Sequence, residues 1–233
     1  NEKFLCLKVL KDVLITGPII KKSAKKSLLS EDEEDENEEV EEPQIDMKKV
    51  QMLSGEYELI SQLFHPNIVG VYGFYFGDKS HNPAILLEFC ASNLGAVIDE
   101  LTNAELVGII CEICSAMKYI HANKVIHRDL KMSNILINSK KHVRICDFGI
   151  SRVVDASTYA STSGIGTLPF MAPELFIPNI KYTEKVDIYS FGVVKYFVVT
   201  NGKMPEFRIN QSYEMLKLPN TINKLSQSII KSC

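Results

Sequence analysis

Between Val125 and Gly149 the chain reads VIHRDLKMSNILINSKKHVRICDFG, and no other stretch limits the possible folds as strongly. Its apolar residues fall in two short runs, ILIN and HVRI, joined by the polar SKK, a pattern that predicts two short strands and a turn. A hairpin returns the chain to where it began. Asn134, just before the first strand, and Asp147, just after the second, are therefore expected together at its open end, with Asp129 on the loop leading in. An amide oxygen and a carboxylate there suit a hard divalent cation that keeps other positions free for phosphate. Asp129 would then stand beside a metal-bound phosphate.

At 233 residues and 45% hydrophobic, the chain can bury one substantial core. A net charge of −3 gives no electrostatic reason to expect nucleic acid or an anionic membrane as a main partner. The six cysteines, Cys6, Cys90, Cys111, Cys114, Cys146 and Cys233, sit in apolar runs rather than at the spacings of a disulfide framework, and read as reduced and cytoplasmic. Cys111 and Cys114 have no second ligand pair at zinc spacing and are expected to be core thiols of a helix. The apolar stretch from Phe191 to Thr200 is interrupted by Lys195 and falls short of the ~18 residues a membrane span needs. No signal-peptide order follows Asn1, so the chain is expected to begin inside a longer product.

The first part alternates strand and helix signals. Residues 3–10, KFLCLKVL, suit a strand with a lysine reaching into a site. From Lys21 to Gln44 a lysine block meets the run EDEEDENEEVEE, too poor in apolar surface to order itself, which predicts a disordered insertion. Residues 47–63 predict a helix with Met52, Leu59, Ile60 and Leu63 on one face, ending before His65-Pro66. IVGVYGFYFG and AILLEFC predict a hairpin. From Thr102 to Ala122, Leu106, Ile109, Ile110, Ile113 and Met117 recur at helical spacing, with Thr102 or Asn103 as N-cap. Strands first and helices after imply an α+β fold in two lobes.

H-R-D-L-K-x-x-N at His127–Asn134, D-F-G at Asp147–Gly149 and A-P-E at Ala172–Glu174 together resemble the signature set of protein kinases. HPNIV and DIYSFGVV resemble the tyrosine-kinase-like group of Ser/Thr kinases. The resemblance implies a bilobal fold with a β-rich first lobe over 1–89 and a mainly helical second lobe over 90–233, and ATP with Mg2+ as cofactors. It implies Asp129 as catalytic base, Asn134 and Asp147 as metal ligands, and Lys131 on the transferring phosphoryl group. C-L-K at Cys6–Lys8 is similar to the A-x-K strand of the family, which makes Lys8 the phosphate lysine and Glu56, rather than Glu58, its helical partner. Lys48 and Lys49 stand too few residues before Glu56 to leave room for a strand and a turn. Choosing Lys8 implies a long insertion, whose closure entropy grows by only about 0.6 kcal/mol per doubling of length. By the same resemblance Leu87 is the gatekeeper, backbone groups of Glu88 and Cys90 meet the adenine edge, Cys6 and Leu136 sandwich the ring, and Cys146 lines the pocket.

The Ser/Thr/Gly-rich stretch after Gly149 reads as an activation segment. A phosphate on Ser157, Thr158, Ser161, Thr162 or Ser163, from an upstream kinase or from autophosphorylation, could pair with Arg128. Lys131 and Thr167 point to Ser/Thr rather than Tyr in the protein substrate, and Asp187 is expected to brace the loop of Asp129 from a buried helix. The family pattern lacks its glycine-rich G-x-G-x-x-G before Lys8 and a downstream arginine for Glu174, and Met132 stands where proline is frequent, so the chain reads as a fragment of a catalytic domain. The reading is a protein Ser/Thr kinase, and the alternative a scaffold that keeps the fold without turnover. The complete set of Lys8, Asp129, Asn134 and Asp147 favours the enzyme.

Overall fold

The computed structural model describes residues 4–9, 14–15, 44–78, 81–153, 168–177, 180–205 and 222–233. Most of the insertion expected over 21–44, the candidate phosphorylation positions from Ser157 to Ser163, and Thr167 lie outside these residues. Strand β1 (Leu5–Val9) is followed by the two-residue strands β2 (Leu14–Ile15) and β3 (Gln44–Ile45), which pair antiparallel. Helix α1 (Met47–Ile60) opens on Asp46, whose carboxylate accepts the Lys48 and Lys49 N–H groups and so satisfies donors that a helix start leaves without partners.

Helix α1 buries Leu53, Glu56 and Ile60, at the spacings of three and four that define one face. Met52, expected on that face, is 65% exposed, because one residue before Leu53 is a rotation of about 100° around the axis. The helix stops at Ile60, short of Leu63. The chain then turns, with the Leu63 N–H donating to Ile60 O, and Leu63 remains in the core.

Strands β4 (Val71–Tyr75) and β5 (Ala84–Glu88) form the expected hairpin, with a bulge between Val71 and Gly73. The sheet order is β1-β5-β4, antiparallel throughout, and the register sets Cys6 opposite Leu87 and Lys8 opposite Ile85. Beyond it, β6 (Ser92–Asn93) leads into the short helix α2 (Leu94–Val97), capped by the Asn93 side chain. Helix α3 (Asn103–Ala122) begins with a capping box in which Thr102 and Glu105 bond each other's backbone N–H, worth about 1 kcal/mol. Its buried face is Leu106, Ile109, Ile113, Ala116, Met117 and Ile120. Cys111 and Cys114 fall between those positions and are exposed, so they are surface thiols and not the core thiols expected.

The remaining elements are β7 (Val125–Ile126), β8 (Ile135–Ile137), β9 (Val143–Ile145), β10 (Arg152–Val153), α4 (Lys185–Val199) and α5 (Lys224–Ser232). The β8–β9 hairpin forms as read, with Ile135 opposite Ile145, and β6 adds to its other edge. Strand β10 pairs with β7. One core cluster joins Leu53 and Ile60 of α1, Ile85 of β5, the buried face of α3, Phe148, and Val193, Val194 and Phe197 of α4. The architecture is α+β, a small antiparallel sheet with one helix followed by a mainly helical part. No helix among the described residues is long and apolar enough to cross a membrane.

Candidate active site

Lys8 leaves β1 on the side facing α1, where Glu56 is the one acidic residue on the buried face. Its Nζ donates to Glu56 Oε1 at 2.6 Å and Oε2 at 2.7 Å, and to Asp147 Oδ1 at 2.7 Å. Three segments far apart in the chain thus meet at one ammonium. For Lys8, burial works to lower the pKa, but the charge of Glu56 and the bonds to both carboxylates outweigh it and raise it. For Asp147, burial works upward, and the Lys8 bond and charge carry it below the ordinary carboxylate value. Both groups stay charged near neutrality. Asp147 adopts a left-handed φ of 67°, a region that aspartate tolerates better than most side chains. Gly149 lies close by: a Cβ there would stand 3.2 Å from Glu56 Oε2 and 3.4 Å from Asp147 Oδ1.

The loop of Asp129 is held from beneath by Asp187 of α4, which is fully buried. Its carboxylate accepts the His127 N–H at 2.9 Å, the Arg128 N–H at 2.8 Å and His121 Nε2 at 2.8 Å. Those bonds fix a turn in which Arg128 has φ 67° and donates from Nη1 to the Tyr182 hydroxyl at 2.9 Å. The His127 ring is buried and packs edge-on against Phe148, with centroids 4.9 Å apart. Its Nε2 bonds Cys146 O at 3.0 Å, and its Nδ1 accepts the Asp129 N–H at 3.3 Å, so the proton sits on Nε2. The Asp129 carboxylate accepts Lys131 Nζ at 2.7 Å and Asn134 Nδ2 at 2.9 Å. The same Asn134 amide donates to Asp129 O at 2.8 Å.

The structure therefore brings Lys8, Glu56 and Asp147 together in one cluster, and Asp129, Lys131 and Asn134 in a second. The backbones of the two meet where the Cys146 N–H donates to Asn134 O at 3.0 Å. Among the described residues no group of three His, Cys, Asp or Glu side chains could hold a metal ion. Asp147, kept ionised by Lys8, and the Asn134 amide oxygen fit a cation that draws its other ligands from phosphate and water.

On the side expected to face adenine, Cys6 lies opposite Leu87 across β1 and β5, and Leu87 is buried. Leu136 is partly buried on β8. The Glu88 N–H donates to Gly70 O at 2.7 Å and is not available to a ligand. Burial, reinforced by Glu88, pushes the Cys90 thiol up to about 11, and burial, reinforced by Asp147, pushes Cys146 up to about 12. Neither is a nucleophile near neutrality. Arg144 and His121 were not legible as site residues. Arg144 is the sole charge in the strand run HVRI, and that was the available signal.

A search of family models matches the protein kinase domain to residues 22–231. The match opens downstream of Lys8, whose place in the site rests on its bonds to Glu56 and Asp147. The serine/threonine/tyrosine-protein kinase HT1 of Arabidopsis thaliana is 32% identical over 80% of this chain and 50% of its own length. The mitogen-activated protein kinase kinase kinase dlk-1 of Caenorhabditis elegans is 37% identical over 66% of this chain and 17% of its own. The serine/threonine-protein kinase dst1 of Dictyostelium discoideum is 34% identical over 75% of this chain and 24% of its own. The chain thus spans half or less of the length of these relatives. With the family match running over most of its residues, the chain belongs to the protein kinase family.

Proposed function

We propose that the protein transfers the γ-phosphate of ATP to serine or threonine hydroxyls of protein substrates, and that residues 1–89 and 90–233 contribute the two walls of the site. The observation that carries this reading is the bridge of Lys8 to both Glu56 and Asp147, next to a loop that presents Asp129, Lys131 and Asn134 as one bonded set.

In this mechanism Lys8, oriented by Glu56, binds the α- and β-phosphates. Asn134 and Asp147 hold Mg2+, which when bound draws charge from the phosphate oxygens. Asp129 accepts a hydrogen bond from the substrate hydroxyl, orients it in line with the γ-phosphate and takes its proton as the new ester bond forms and the bond from the γ-phosphorus to the β–γ bridging oxygen breaks, with ADP as the leaving group. Lys131, 2.7 Å from Asp129, offsets negative charge between that carboxylate and the phosphoryl group. His127 and Asp187 touch neither substrate nor phosphate and set the position of Asp129 through its backbone.

Lys131, with Thr167 outside the described residues, supports serine and threonine as acceptors, and one of the relatives above, dst1, is named a serine/threonine-protein kinase. The segment before Thr167 supplies hydroxyls for activation by an upstream kinase or by autophosphorylation. Six free thiols suit the reducing cytoplasm. The test is transfer of labelled phosphate from Mg-ATP to a peptide library by the full-length protein, followed by phosphoamino acid analysis. Label on serine or threonine is expected. Label on tyrosine alone, or none in the presence of an activating kinase, would remove the reading.

A further inference from the structure

Arg144 carries a charge that no step above uses. It lies on β9, three residues before Asp147, and its Nε donates to both carboxylate oxygens of Glu88, at 2.9 and 2.8 Å. Glu88 closes β5 and grips Gly70 twice. Its Oε2 accepts the Gly70 N–H at 3.2 Å, and its own N–H donates to Gly70 O at 2.7 Å. The chain before Gly70 is in turn laid on β9: the Val69 N–H donates to Ile145 O at 2.9 Å and the Ile145 N–H to Asn67 O at 2.8 Å. Arg144 Nη1 and Asn67 Nδ2 both donate to Val143 O, at 3.0 and 3.3 Å.

The Arg144 and Glu88 side chains are only 19% and 24% exposed. A pair so far removed from water is not the freely solvated kind that contributes almost nothing. Its acceptor is also shared with a backbone amide, which locks the carboxylate in place. The guanidinium is planar and its donors are fixed in direction, so it sets an orientation as well as a charge.

We propose that Arg144 and Glu88 form a latch that positions the purine end of the nucleotide pocket relative to its phosphate end. The proposal rests on the nucleotide reading given under Proposed function. By the kinase resemblance the chain from Glu88 to Cys90 faces the adenine edge, while in that nucleotide reading β9 delivers Asp147 to the phosphates. One ion pair therefore ties the two ends of a single ligand site together across three chain segments. The latch is closed in the same structure that holds Lys8 on Glu56 and Asp147, so it accompanies an assembled phosphate end. Arg144 and Glu88 are positioning residues, since the side chains of both are spent on each other and on Gly70.

The test measures ATP KM, ATP Kd, kcat and peptide KM for the full-length protein and for Arg144→Gln, Arg144→Lys, Glu88→Gln and the double Gln variant. Loss of one charge-assisted bond predicts that Arg144→Gln raises ATP KM and Kd about tenfold, with kcat and peptide KM changed by less than about threefold. Arg144→Lys recovers part of the loss. The double variant is no worse than the more severe single one, as coupled residues require. Should Arg144→Gln fold poorly, the nearly isosteric Glu88→Gln carries the same test. ATP KM and Kd within about twofold of wild type in both single variants, effects that multiply in the double variant, or a rise in kcat at unchanged KM would each overturn the latch. Such results with normal wild-type binding would leave the nucleotide reading standing. A wild-type protein that bound no ATP would overturn both.

Discussion

Replacing Asp187 with asparagine is the perturbation whose cost follows most directly from the geometry. The carboxylate accepts three hydrogen bonds at 2.8 to 2.9 Å with no exposure to water. Asparagine keeps one acceptor oxygen and turns an NH2 group toward at least one of the three donors. A buried donor left facing another donor costs about 1–3 kcal/mol, and the bonds that survive lose the assistance of the charge. The sum is about 2–4 kcal/mol, which for a chain of this size lowers Tm by about 5–15 °C. The released groups include the His127 and Arg128 amides, and Asp129 follows directly. With Asp129, the proposed base, displaced by a fraction of an ångström, kcat should fall by about tenfold or more. Thermal unfolding followed by circular dichroism reads the first number, and initial rates at saturating ATP and peptide read the second. A Tm within about 2 °C of wild type together with an unchanged kcat would refute the reasoning that this carboxylate carries the loop.

Three further outcomes are expected. The Lys8 cluster gives a pH dependence of known sign: the lowered pKa of Asp147 adds stability that is complete above its ordinary value of 3.8 and disappears as pH falls through the folded value. The raised pKa of Lys8 adds stability that is complete below 10.5 and lost as pH rises beyond it. In urea melts the stability gap between wild type and Lys8→Met should thus be level near neutrality and shrink below pH 3.8; a gap that widens in acid would contradict the ion pairs. With a thiol near 12, Cys146 is ionised to about one part in ten thousand at pH 8. Iodoacetamide followed by peptide mapping should therefore label exposed Cys111 first, and early labelling of Cys146 would count against its burial. Gly149→Ala places a methyl 3.2 Å from Glu56 Oε2. Because flexible carboxylates can yield a few tenths of an ångström, the protein should fold normally and lose up to about tenfold in kcat. An unchanged rate would show that the close approach does not matter.

The strongest elements were legible because local pattern and tertiary demand agree. The β8–β9 hairpin and a helix start at Thr102 or Asn103 follow from residue type and spacing, and the join of Lys8 to Glu56 across the long insertion follows from the resemblance to protein kinases. The buried face of α1 was misread because Met52 and Leu53 are adjacent apolar residues, and only the packing partner decides which points inward. Cys111 and Cys114 were misplaced for a related reason. Cysteine is small and apolar enough to read as core, yet the branched residues of α3 had already filled the buried stripe. Arg144 and the close approach of Glu56 to Gly149 could not be assigned in advance, because they depend on side chains that arrive from other elements and on space that exists only after folding.

The central claim is that Asp129 takes the proton of the acceptor hydroxyl while Lys8, Asn134 and Asp147 hold the nucleotide. Its most direct test is single-turnover phosphoryl transfer by the full-length protein and by Asp129→Ala, with ATP binding measured alongside. The account predicts a rate lower by about 10² to 10⁴ with ATP affinity preserved. Transfer at the wild-type rate by Asp129→Ala would contradict it.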